Sequence, residues 1–302
     1  MSKVEWHKQA YMNGREYFPI GNGQISGFVQ WDRSGLNQPL TLLLQNPEIL
    51  EPFTMDGIPK QHTYLFNPDQ GLDQTALTVT VDGRMFRPIH SNLEVVWKSG
   101  EEAPIVVACW WAGQVRIQEQ FFVSVENPFL YRTVTVENPS NCPVTIRLEL
   151  PFVPNPHKFP SMEFIKETDI IWAKGEPGAV GLGVKGNSDQ LSVTQDSNEY
   201  KAVFAPGELI PRESHTCTFT YILAVGQETN SFENTFKQTR IQFEERQLMA
   251  RRAKAGVLET DDLVFKHVYD SALRGLMMCM SDSGNITRGS GSIKRSGYVI
   301  AA

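Results

Sequence analysis

Glu228-Thr-Asn-Ser-Phe-Glu-Asn-Thr-Phe-Lys-Gln-Thr-Arg-Ile-Gln-Phe-Glu-Glu-Arg-Gln-Leu-Met-Ala-Arg-Arg-Ala-Lys-Ala-Gly256 is where this chain changes character. The run before it, Thr216 to Val225, alternates hydroxyl and apolar residues and ends at Gly226, as a strand does. Within the stretch, Asn230 and Glu233 have capping-box spacing. Phe232, Phe236 and Phe243 then recur at offsets of four and seven, which predicts one apolar helical face. Lys237, Arg240, Glu244, Arg251 and Lys254 fall on the opposite, solvated face, and Gly256 supplies a stop. A second helix is expected over Asp261 to Cys279. Thr260 caps it, and Val264, Val268, Ala272, Leu276 and Cys279 form its stripe.

Working backwards, the rest reads as strand. Leu40–Leu44, Leu77–Val81, Arg84–Ile89, Leu93–Lys98, Pro104–Trp110, Val115–Val125, Tyr131–Glu137 and Val144–Leu150 are short β-rich runs. Asp169–Ala173, Ala179–Val184, Leu191–Thr194, Tyr200–Phe204 and His215–Val225 continue the rhythm. Asp82-Gly83 is a two-residue hairpin signal between two such runs. Glu51–Gly71, rich in Pro, Gly, Asn and Asp, reads as a long excursion. About 225 residues of β without intervening helices exceed the roughly 100 of an immunoglobulin-like module. The expected fold is therefore mainly β: a large antiparallel two-sheet β-sandwich, followed by two C-terminal α-helices that begin a truncated helical domain. The implied domains are 1–227 for the sandwich, 228–258 for a linker helix and 259–302 for the first helix and loop of an incomplete helical domain.

Composition narrows the function. In 302 residues, 41% hydrophobic and 21% charged, the chain can bury a large core without disulfides. A formal charge of −6 argues against nucleic acid as a partner. Met1 to Lys8 has no apolar signal core, and the longest apolar stretch, Pro104–Gly113, is too short for a bilayer. These features predict a cytoplasmic chain with no membrane partner. Cys109, Cys142, Cys217 and Cys279 are far apart and read as small apolar residues rather than metal ligands. The six histidines have neither HxH nor HExxH spacing, so neither a metal nor another cofactor is expected.

Candidate functional residues are few. Gly21-Asn22-Gly23 lacks the spacing of a phosphate cradle and reads as a tight turn into a strand from Gln24 to Trp31. No GxSxG elbow is present. Glycoside hydrolysis needs two facing carboxylates, but nothing singles out a pair among 34 acids. Glu119, Glu126, Glu137 and Glu149 lie on or beside strands, where acids usually face solvent. Catalytic residues stay unassigned. Trp110-Trp111 must point to opposite faces of a strand. The outward indole has the shape to stack on a sugar ring, or to pack under a loop or a helical partner. Trp6, Trp31, Trp97 and Trp172 read as core or rim aromatics. After the Gly/Ser-rich loop from Asn285, Tyr298–Ala302 looks like the start of a further element, as in a truncated chain.

The order of these parts resembles the N-terminal half of the glucoamylase-like, maltose- and cellobiose-phosphorylase-like and inverting α-L-fucosidase-like families. Pro19-Ile-Gly-Asn-Gly-Gln-Ile-Ser-Gly-Phe-Val29 is similar to the PxGNGxxGxxV start of the fucosidase-like sandwich. Leu130–Pro139 with Pro143–Leu148 resembles a strand pair of these sandwiches, and Asp270 to Thr287 resembles the first barrel helix and its loop. The resemblance implies a "supersandwich" ahead of an (α/α)6 barrel, with catalytic groups mostly beyond Ala302. Such a chain would be inactive alone and would serve a glycoside hydrolase or phosphorylase acting on an oligo- or polysaccharide. Arg295 aligns with the Arg of a sugar-binding Trp-x-Arg-Asp motif, although Ser296 replaces its Asp. Substrate contacts are thus expected from Trp110, Trp111 and Arg295. Without a barrel, the helices' apolar faces imply self-association or a homodimer. The alternative is a stand-alone carbohydrate-binding or scaffold protein without catalysis.

Overall fold

The computed structural model describes residues 14–246 apart from 23, 36–37, 46–74, 99–104, 157–158, 176–177, 186–189, 197–198 and 225–228, together with 260–262, 265–266 and 269. The excursion at Glu51–Gly71, the Asn285–Ala302 tail with Arg295, and nearly all of the second helix lie outside the described residues.

The fold is mainly β and antiparallel. Strands β1 (Arg15–Gly21), β2 (Ser26–Asp32) and β3 (Leu40–Gln45) form a three-stranded sheet in that order. Five further strands form a second sheet. They are β4 (Thr78–Val81), β5 (Arg84–Phe86), β10 (Val144–Phe152), β14 (Leu191–Asp196) and β15 (Glu199–Leu209), in the order β14-β15-β10-β4-β5. The third sheet has eight strands in the order β11-β12-β13-β16-β9-β8-β7-β6. These are β6 (Glu94–Trp97), β7 (Val106–Ala112), β8 (Val115–Val123), β9 (Phe129–Glu137), β11 (Ser161–Ile165), β12 (Ile170–Gly175), β13 (Gly178–Lys185) and β16 (Ser214–Ala224).

One apolar core joins all three. Ile20, Val29 and Leu42 of the first sheet, Val79, Ile146 and Phe204 of the second, and Trp110, Ile117, Val134 and Phe219 of the third belong to it. The expected mainly β, antiparallel fold is present, with its strands in three hydrogen-bonded sheets around one core. Strict alternation drives the assignment: Val144, Ile146, Leu148 and Leu150 of β10 are buried while Thr145 and Arg147 are exposed.

Asp82 and Gly83, with φ of 49° and 78°, make the tight turn that their dipeptide predicts. The Asp82 side chain adds a hydrogen bond from the Thr145 amide, 2.8 Å. β1 and β11 are the strands that pattern alone did not pick out. Pro19 interrupts the β1 signal, and β1 tolerates it as an edge strand. β11 is a five-residue edge strand, largely half-buried.

After β16, helix α1 runs from Thr229 to Gln238. Thr229 already belongs to the helix, so Asn230 lies inside it rather than capping it. A break at Thr239–Arg240 follows, and a second helical segment covers 241–246. The break resets the helical phase. Phe232 and Phe236 are buried, as their spacing predicts, but Phe243 is 55% exposed. Glu244, expected on the solvated face, is instead the buried residue of the second segment. No helix of the described residues is long and apolar enough to cross a membrane.

Candidate functional site

The eight-stranded sheet has a second, outward face, and its two halves differ. The apolar half is a seat for α1. Val107, Phe122, Phe129, Tyr131, Ile170, Trp172 and Ile222 cluster there with Phe232 and Phe236. Two glycines of β13 make the seat. A Cβ on Gly181 would lie 2.8 Å from the Trp172 ring, and a Cβ on Gly183 would lie 2.5 Å from the Phe236 ring. Glycine in a strand here marks close approach of another group. Trp172 Nε1 donates to Glu233 Oε1 at 3.1 Å, tying the indole to the helix.

Polar groups rim the seat. Lys185 Nζ donates to the Thr239 carbonyl at the end of α1, 2.5 Å, and lies 4.6 Å over the Phe236 ring. It meets the helix C-terminus as a cation should. Burial lowers the Lys185 ammonium to about 8, with the Glu244 charge opposing the fall. Ser124 Oγ donates to Glu244 Oε2 at 2.7 Å. Burial, and then the Glu244 charge, hold the Tyr131 phenol well above its ordinary value. Lys98 pairs with Glu245 at 2.7 Å.

The Gly-Asn-Gly turn belongs to this rim. Asn22 is buried, and its Nδ2 donates to the carbonyls of Ser124 at 2.8 Å and Asn127 at 2.7 Å. Its Oδ1 accepts from the Gln24 and Ile25 amides, each at 3.0 Å. One side chain thus clamps the β1–β2 turn onto the β8–β9 turn, which carries Ser124. Asn22→Ala is expected to lower unfolding free energy by about 2 kcal/mol in urea titrations, since several buried groups lose partners together. An unchanged midpoint would show that water replaces the clamp.

The other half of the outward face is polar. Along β7, Val107, Cys109 and Trp111 point outward, so Trp111 is the outward indole of the pair and is 46% exposed. Its cross-strand neighbour is Arg116, which faces Glu137 at 3.5 Å. The next row holds Cys109, Gln118, Thr135 and Thr216, and the one after it Val107, Gln120, Thr133 and Thr218. Thr135 and Thr216 hydroxyls lie 3.0 Å apart, and those of Thr133 and Thr218 lie 3.1 Å apart. Asn92 Nδ2 donates to the Trp111 carbonyl at 3.0 Å. Burial raises the Cys109 thiol, opposed by Arg116.

Trp110 lies on the core side, 1% exposed, and its Nε1 donates to Glu119 Oε1 at 2.8 Å. Beneath the surface, its indole is out of reach of a ligand on the sheet, which corrects the expectation of a substrate contact there. Glu119 is fully buried, which corrects the reading that strand acids face solvent. Arg132 Nε donates to Glu119 Oε2 at 2.7 Å, and its second guanidinium nitrogen lies 2.6 Å from the same oxygen. Arg132 also donates to the Thr75 carbonyl at 2.6 Å, and the Thr75 hydroxyl accepts from the Leu42 amide at 3.0 Å. The pair therefore bridges the eight-stranded sheet to the seam between the other two. Burial opposes the Arg132 charge, but Glu119 and Tyr221 together outweigh it and hold the guanidinium above its ordinary value. Neither residue carried a sequence signal, because pairing of Glu119 with Arg132 needs the β8–β9 register. The three substrate contacts expected from sequence thus divide: Trp110 is in the core, Trp111 is outward, and Arg295 lies outside the described residues. Among the described residues, no His, Cys, Asp and Glu cluster has metal-binding geometry.

No protein-family model matches the sequence, and no curated protein matches it. Solved structures do. A bacterial glucoamylase complexed with acarbose aligns at a TM-score of 0.51 and 11% identity, over 89% of this chain and 40% of that one. A provisionally named kojibiose phosphorylase from the human microbiome aligns at 0.44 and 11%, over 87% and 38%. An α-galactosidase from Geobacillus stearothermophilus in complex with stachyose aligns at 0.36 and 12%, over 76% and 44%. The chain spans less than half the length of each. At these identities the glucoamylase likeness establishes shared architecture: this chain has a β-sandwich fold related to that of a carbohydrate-active enzyme.

Proposed function

We propose that the chain is the N-terminal sandwich and linker of a glycoside hydrolase or phosphorylase, with residues 1–227 as sandwich, 228–258 as linker and 259–302 as the entry to an (α/α)6 barrel. The observation that carries this reading is a glucoamylase-related fold extending over 89% of the chain and 40% of that enzyme. The docked α1 supports it physically, because Phe232 and Phe236 anchor the path out of the sandwich. In the full enzyme, water or phosphate would attack a glycosidic carbon with help from a carboxylic acid. The barrel would supply that acid, Arg295 would contact substrate at its rim, and the sandwich would hold the linker in place. Phe243 and Phe265, each 55% exposed, would meet the barrel or, without it, a second copy.

The 302-residue chain is expected to release no sugar or sugar phosphate from maltose, cellobiose or kojibiose, with or without phosphate. Turnover that copurifies with the chain and survives further purification would overturn the reading. A second reading, a carbohydrate-binding chain without catalysis, draws on the outward Trp111.

A further inference from the structure

We infer that the polar half of the outward sheet face is a glycan-binding platform, and that its ligand is a neutral oligosaccharide lying across strands β6, β7, β8, β9 and β16. The inference takes its ligand class from the carbohydrate reading of the fold; the platform itself rests on the sheet. Trp111 is the large aromatic of this half, and it stands on an antiparallel sheet rather than a loop. An indole there offers an apolar plane to the C–H face of a pyranose ring. Around it, Gln118 and Gln120 are half-buried on strand backbones that fix where their amides start. Amides both donate and accept, which suits sugar hydroxyls.

The charge pattern selects among ligands. Arg116 and Glu137 face each other, so the row of Trp111 presents a balanced pair rather than a basic stripe. A nucleic acid needs an excess of Lys and Arg, and an acidic glycan needs unpaired cations. The centre of a protein interface is apolar and poor in charge, whereas here Cys109 and Val107 share their rows with the amides of Gln118 and Gln120 and with four threonines, and β6 adds exposed Glu94 and Val96. The dimensions select length. Five strands about 4.8 Å apart give a floor roughly 20 Å wide, which is longer than one sugar. α1 and the 241–246 segment cover the apolar half of the same face, so the platform has one helical wall and an open side at Trp111.

The test is calorimetric titration of the purified chain with maltoheptaose and with cellohexaose, using glucose as the short control. At least one oligosaccharide is expected to bind, at least tenfold tighter than glucose. Trp111→Ala is expected to weaken that binding at least tenfold with an unchanged thermal midpoint, since Trp111 lies outside the core. Trp111→Phe is expected to keep most of the affinity, and Gln118→Ala to weaken it severalfold. Absence of binding by the unaltered chain, or equal affinity in Trp111→Ala, overturns the platform. Either failure leaves the proposed place of the chain in an enzyme to its own test, because turnover does not depend on this face.

Discussion

Arg132→Met is expected to lower unfolding free energy by about 3–5 kcal/mol, the range for removing one partner of a buried ion pair. The residue is 1% exposed and Glu119 is fully buried. Methionine fills much of the volume, so the loss comes from electrostatics more than from a cavity. The Glu119 carboxylate would keep only the Trp110 N–H, and the Thr75 carbonyl would lose its donor. Glu119→Gln should also be costly, because the single amide oxygen can accept from Arg132 or from Trp110 but not from both, and the buried guanidinium loses its counter-charge. The double variant Glu119→Met with Arg132→Met should be clearly more stable than the sum of the single losses implies, since it leaves no orphaned charge. Urea unfolding of the unaltered chain, Glu119→Met, Arg132→Met and the double variant measures this cycle. Strict additivity would mean that the two side chains act independently, against their 2.6–2.7 Å contacts.

Gly183→Val should release α1 while leaving the sandwich folded. The new Cβ would enter the space of the Phe236 ring, which is 2% exposed and packed among the apolar residues of the seat. Losing that ring from its seat should cost about 3–5 kcal/mol of docking, comparable with a buried Phe→Ala change. Three readouts separate undocking from global unfolding. Far-ultraviolet circular dichroism should keep its β signature. Trp172 emission should shift to the red as the indole loses Glu233 and the helix cover. Trypsin should cut after Arg240, in the break between the helical segments. Adding Phe236→Ala to Gly183→Val should add little, because the ring is already displaced. A Gly183→Val protein with unshifted emission and an intact Arg240 bond would show that the seat can rearrange around the side chain.

Much of the fold was legible beforehand because strands declare themselves locally. Alternation in Val144–Leu150, the Asp82-Gly83 turn and the switch in period at Glu228 each depend on a few adjacent residues. Asn22 was legible only in part. A turn at Asn22 was expected from the Gly-Asn-Gly pattern, but the two carbonyls it binds lie more than a hundred residues away. Phe243 was misplaced because helical periodicity assumes an unbroken helix. The break at Thr239–Arg240 lets Lys185 and Ser124 claim the end of one segment and the face of the next.

Trp110 and Trp111 separate what each level decides. By itself, the sequence determined that two neighbouring strand residues face opposite ways, that the chain is a large antiparallel sandwich, and that a helical segment follows. These rest on backbone geometry, which repeats every two or 3.6 residues and is visible locally. Only the tertiary structure decided which indole enters the core, that Glu119 is sealed against Arg132, and that Gly183 makes room for Phe236. Those outcomes depend on strand register and on which layer covers which face. Both are set by contacts between residues far apart in the chain, whose energies no local pattern records.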